Sequence, residues 1–155
     1  MKLIEVLGVR VEMPGNQPIV LLREVSGTRY LPIWVGAAEA SAISLAQQGI
    51  EAARPLTIDL LAQLIQEFNA ELQQVEVSRL VDGIFYADLV FTNGMKISAR
   101  PSDAIALSLK LNVPIYSDES VLSQAGIAIE EEADSETELA KFREFLEQIN
   151  PEDFS

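Results

Sequence analysis

The sequence predicts an α+β fold, with two three-stranded antiparallel meanders in mixed sheet or sheets, helices packed on them, and a helix at the C-terminus. Three observations carry that expectation. Val, Ile and Leu concentrate in two blocks of strand-like residues cut by turn signals. Each block is followed by a segment whose apolar residues recur at helical spacing. The second block is divided by Asp82-Gly83 and Asn93-Gly94, the strongest short hairpin dipeptides.

In chain order, Lys2 to Met13, Pro18 to Val25 and Thr28 to Val35 read as strands, with Pro14-Gly15-Asn16 and Ser26-Gly27 as their turns. From Ala37 to Gln48 small residues take over. Ala38, Ala42, Leu45 and Ala46 share a helical face and Gly49 is a stop. A second helix begins with Thr57 as its N-cap and carries an apolar stripe of Ile58, Leu61, Leu64, Ile65 and Phe68. Val75 to Val81, Ile84 to Thr92 and Met95 to Ala99 form the second meander. Ser102 or a neighbour caps a third helix reaching about Leu111, with Asp103 where the helix dipole favours an anion. A short strand at Pro114 to Ser117, a short helix at Glu119 to Gln124 and an amphipathic helix from Thr137 to Gln148 complete the chain. Ala42-Ile43-Ser44-Leu45-Ala46 and Ala104-Ile105-Ala106-Leu107-Ser108 match weakly after the two meanders, which raises the possibility of an internal duplication.

The 155 residues suffice for one core domain, which at this size buries roughly 70% of the unfolded surface. The expected division is an α+β domain over residues 1–129 and an acidic helical extension over 130–155. Net charge is −13, and the stretch from Glu130 onward holds ten acidic residues against two basic ones. Such a balance gives weak electrostatic support for holding nucleic acid, because Lys and Arg contacts to phosphate supply most non-specific affinity. With 48% apolar and 23% charged residues, and no apolar run long enough for a span, the expected location is cytoplasmic without membrane contact.

The chain contains neither Cys nor His. Thiolate nucleophiles, imidazole bases and His- or Cys-ligated zinc are therefore excluded. Polar catalysis would have to come from carboxylates, Arg, Lys, Tyr or a hard metal ion.

Two segments place an Arg-Pro pair before a helix start: Arg54-Pro55-Leu56-Thr57-Ile58-Asp59 and Arg100-Pro101-Ser102-Asp103. Together with Leu31-Pro32-Ile33-Trp34-Val35-Gly36, Glu39-Ala40, Asp82-Gly83 and Phe85-Tyr86-Ala87, they resemble the signature of the bifunctional nuclease domain family, in order from residue 1 to about 129. The acidic tail is similar to an extension of many bacterial members. The resemblance implies cleavage of DNA and RNA. Many members have a His where this chain has Ile58.

In that light, Arg54, Asp59, Arg100 and Asp103 are the candidate catalytic residues. The two Arg, with Thr57 and Ser102 beside them, are the candidate substrate-binding residues. Asp59, Asp103 and Glu39 are the candidate ligands of Mg²⁺ or Mn²⁺, and no organic cofactor is expected. The alternative reading has Arg54 and Arg100 paired with Asp59, Asp103 or Glu39 as internal braces, and Thr57 and Ser102 as caps. A metal-dependent phosphodiesterase predicts that both Arg-Pro segments converge in one cleft; a non-catalytic interaction module predicts satisfied pairs. A homodimer is expected from exposed strand edges and the terminal helix, and a protein partner from the acidic tail.

Overall fold

The computed structural model describes residues 1–12, 14–128 and 143–144. The first meander is β1 (Lys2–Glu12), β2 (Gln17–Glu24) and β3 (Arg29–Trp34). Helices α1 (Ala37–Gln48) and α2 (Thr57–Glu67) follow, then β4 (Leu72–Val81), β5 (Ile84–Phe91) and β6 (Lys96–Ala99). Helix α3 (Pro101–Leu111), β7 (Ile115–Ser117), α4 (Glu119–Ala125) and β8 (Ile127–Ala128) close the described chain. The expected helix from 137 to 148 falls almost wholly outside the described residues.

All eight strands join one sheet in the order β6-β5-β4-β7-β1-β2-β3-β8. The two meanders thus lie on either side of β7, with β4 and β1 innermost. Strand β7 runs parallel to β4 and antiparallel to β1, and this one strand makes the sheet mixed. Its register aligns Ile4 with Ile115, Ile115 with Val75, and Val75 with Leu89, a buried apolar row across four strands. Val20, Leu22, Leu31 and Ile33 extend the same core, which the helices cover with Ile43, Ile105, Leu107, Val121 and Leu122. On the opposite face of the first meander, Ile19 and Leu21 pack with Leu7, Tyr30, Trp34 and Ile127.

Helix α3 is central: it packs on α1, α2, β4 and β5. The segments with the weak internal match are the helices that follow the two meanders, and they pack on each other. Both helices carry small side chains, Ala42 and Ala46 on α1 and Ala104 and Ser108 on α3, which suit close helix approach.

Several expectations need correction. The N-cap of α2 is Leu56, not Thr57: Leu56 is still extended, with φ −75° and ψ 169°, and Thr57 is already the first helical residue. Leu56 has no side-chain acceptor, so the cap comes from Asp59, whose Oδ2 accepts the Leu56 N–H at 2.9 Å. Of Ser102 and its neighbours, it is Arg100 that holds the N-cap position of α3, without a side-chain cap hydrogen bond; Pro101 occupies the first helical position, and Ser102 lies one position further in and is buried. In the Asp82-Gly83 turn both residues take positive φ, whereas at Asn93-Gly94 only Gly94 does and the Asn93 side chain accepts the Met95 N–H. The α2 stripe also divides. Ile58 and Ala62 are buried, while Leu61, Leu64 and Phe68 are exposed, Phe68 to 80%. At about 100° per residue, Ile58, Ala62 and Ile65 fall on one narrow stripe, and this is the face given to the core. Strand β8 was not foreseen, since two residues carry no periodicity.

Candidate active site

The second Arg-Pro segment sits where β6 ends and α3 begins. A residue before proline is disfavoured in the helical region, and Arg100 is extended, with φ −69° and ψ 144°. Its carbonyl accepts the Ala104 N–H at 3.0 Å, so the backbone is fixed and the guanidinium leaves sideways. There Nε donates to Asp103 Oδ2 at 2.9 Å and Nη2 donates to Oδ1 at 3.2 Å, a bidentate fork. Nη1 donates to Glu39 Oε1 at 3.2 Å. Glu39 is in the first turn of α1, so this cluster ties the N-termini of α1 and α3 together.

Gly36, the N-cap residue of α1, makes room for that arrangement. A Cβ at Gly36 would fall 2.3 Å from Glu39 Oε2. The Glu39 carboxyl is held below the usual carboxylate range, first by a backbone hydrogen bond at its own helix start and then by Arg100. Asp103 and then Glu39 raise the Arg100 guanidinium above its ordinary value. The cluster lies at a cleft of about 340 Å³ whose walls include Trp34, Val35, Phe85, Pro101 and Ser102. Arg100 is exposed and Glu39 is half-buried, so solvent and solutes reach the cation more readily than the acid behind it.

The first Arg-Pro segment is elsewhere. Asp59 Oδ1 pairs with Lys110 Nζ at 2.5 Å, and Lys110 is in the last turn of α3. Asp103 and Lys110 are seven residues apart on one helix, about 10 Å along its axis. The two segments therefore mark opposite ends of α3 and do not converge in one cleft. Arg54 is exposed and makes no ion pair among the described residues. Lys110 and then the Leu56 N–H hold the Asp59 carboxyl below its ordinary range. Thr57 is exposed on the outer surface of α2.

The expected ligand set of Asp59, Asp103 and Glu39 is thus divided. Among the described residues no three acidic, His or Cys side chains come together as a metal site. Two carboxylates do face one cation, and the cation they face is Arg100. Two hard oxygen ligands suit an ion such as Mg²⁺ that keeps several waters and takes further oxygens from a substrate phosphate. Ile58, at the position where many relatives by resemblance have His, is buried in the core and lines no part of the cleft. Of the aromatic residues with base-stacking potential, Trp34 lines the cleft, while the Tyr86 ring lies under the Arg79 guanidinium at 4.2 Å.

Sequence reasoning missed three contributors. Lys110 carried only the signal of a cation in a last helical turn, with nothing to name its partner. Phe85 and Gly36 stood only inside the family motifs, with no role of their own, and the room that Gly36 leaves depends on where the Glu39 carboxylate turns.

Comparison with known proteins now bears on this site. Residues 20–130 match the family model described as the bifunctional nuclease domain. Two proteins of Mycobacterium tuberculosis, from strains CDC 1551 and H37Rv and both described as uncharacterized, are 51% identical over 97% of this chain and 96% of their own length. A protein of Oryza sativa subsp. japonica named bifunctional nuclease 2 is 27% identical over 77% of this chain and 39% of the rice protein. The matched region contains both Arg-Pro segments and Glu39.

Proposed function

This chain belongs to the bifunctional nuclease domain family, and on that basis we propose that it hydrolyses phosphodiester bonds of DNA, RNA or both at the cleft where Glu39, Arg100 and Asp103 meet. The observation that carries the reading is that the N-terminal ends of α1 and α3 bring Glu39 and the forked cation Arg100 to the wall of one open cleft, with Asp103 bonded to Arg100 beside it. An exposed Arg with five N–H donors has donors left over after three hydrogen bonds. Those donors suit a phosphate oxygen, and the planar fork would orient it.

Glu39 is poorly suited to take a proton at neutral pH, because its carboxyl is held low. A permanent anion is instead suited to holding a cation, and Glu39 with Asp103 would hold Mg²⁺ or Mn²⁺. When bound, such an ion supplies a water of lowered pKa and neutralises phosphate charge, functions that a chain without His would otherwise lack. Arg100 then binds and orients the phosphate, Ser102 shapes the floor beside it, and Trp34 and Phe85 limit water and offer apolar surface to a base.

A second reading is favoured by the separation of the two Arg-Pro segments, which a phosphodiesterase was expected to bring into one cleft, and by the pairing of their Asp residues. Arg100 is already bonded to two carboxylates, as an internal brace of a non-catalytic module would be. One assay separates the two: single- and double-stranded DNA and RNA incubated with the purified protein and Mg²⁺ or Mn²⁺, with an EDTA control and the Asp103→Asn variant. The nuclease reading expects metal-dependent cleavage that is lost in Asp103→Asn. Equal cleavage by wild type and variant would mark contamination and leave the brace.

A further inference from the structure

Helix α2 shows the solvent a second apolar face, independent of the cleft. Leu56, Leu60, Leu64 and Phe68 follow one another at four-residue spacing, and their exposures are 41%, 50%, 44% and 80%. Leu61 beside them is 37% exposed. These positions sweep an arc next to the one buried by Ile58 and Ala62, so α2 is apolar around more than half of its circumference. An ordinary surface helix shows one apolar stripe.

We infer that this ridge is the contact face of a two-fold homodimer, in which α2 of one copy crosses α2 of the other antiparallel. Area and charge both point to a second copy. The five side chains expose on the order of 500 Å². Self-pairing would bury at most about 1,000 Å² from these side chains, and the rim would carry the total past the level at which specific interfaces begin. A row of residues at four-residue spacing is a ridge that packs into the same ridge of another helix at about −50°. Antiparallel pairing brings the start of one α2 to the end of the other. At the start is Arg54, exposed and without an ion pair among the described residues; at the end are Glu67 and Glu71, exposed and likewise without one. The symmetry operation supplies each with its opposite charge, twice. The chain's own residues 130–155 are a poorer occupant, because they would bring ten carboxylates to a face edged by two more.

Sedimentation velocity of the full chain at tens of micromolar tests this. Wild type should sediment as a dimer of the 17.0 kDa chain, and Leu60→Glu/Leu64→Glu should raise the dissociation constant about a hundredfold or more. Arg54→Glu should weaken the dimer, and adding Glu67→Arg and Glu71→Arg to it should recover most of the loss. All of these residues are exposed, and circular dichroism of each variant checks that it stays folded. A monomeric wild type overturns the inference. So does a dimer that survives Leu60→Glu/Leu64→Glu, or a charge-reversed combination no tighter than Arg54→Glu alone.

Discussion

The two ends of α3 each meet an Arg-Pro segment that carries a hydroxyl residue and an Asp, and they use it differently. At the N-terminal end Arg100 reaches Asp103 with a three-residue spacing and the pair stands at an open cleft. At the C-terminal end Asp59 belongs to a second Arg-Pro segment, yet its partner is Lys110 and Arg54 stands apart. The cause is the frame of the proline. Pro101 is the first residue of its helix, which makes Arg100 the N-cap, whereas Pro55 precedes the N-cap Leu56 and leaves Arg54 two positions further out. Both Asp residues hold the third helical position. Moving the Arg by two residues converts a bidentate local fork into a cation with no ion pair among the described residues and gives the Asp to another helix.

The largest expected effect tests which end is chemical. In the nuclease assay, Arg100→Ala should lower the rate about a hundredfold or more, as loss of a charge-stabilising donor does. Arg54→Ala should change it less than about twofold. Equal losses would put both segments back into one site and break the contrast.

A smaller effect tests which end is structural. The Asp59–Lys110 pair is mostly shielded from solvent, and Asp59 also satisfies the Leu56 N–H. Asp59→Ala should cost about 1–3 kcal/mol in urea unfolding, through a lost cap and an uncompensated Lys110. Asp103→Ala should cost less than about 1 kcal/mol, because its partner Arg100 is exposed. The reverse order would make the cleft the structural end.

The smallest effect is in pH dependence. A carboxyl whose folded pKa lies below its unfolded value contributes fully above the ordinary Asp range, and that contribution is lost as pH falls through the folded value. The urea midpoint of wild type should therefore fall below about pH 4. Asp59→Asn should flatten part of that slope. An unaltered slope in Asp59→Asn would mean that the Lys110 pair contributes little.

Much of the fold was legible because local signals agreed with one another. Gly49 and Asn112 end α1 and α3 in the left-handed region, and Asp82-Gly83 turns its hairpin, as their residue types imply. The union of the meanders into one sheet was not legible. It depends on three residues, Ile115 to Ser117, pairing with strands far away in sequence. At the cleft, Glu39, Arg100, Ser102 and Asp103 could be picked out by type and spacing. That Asp59 leaves the group could not, because the deciding contact is to Lys110 on another helix. The outward turn of Leu64 and Phe68 was hidden for a related reason: α2 has two apolar arcs, and periodicity alone does not say which one the core takes.

Strand β7 also dictates an order of events as the chain is made. Lys2 pairs with Ser117, so the inner edge of the first meander must wait until 115 further residues have left the ribosome before it is covered. Until then β1 and β4 each offer a bare hydrogen-bonding edge, and each can bind the wrong strand. Strand β7 acts as a keystone, and a chain halted before Ile115 would leave both of those inner edges uncovered.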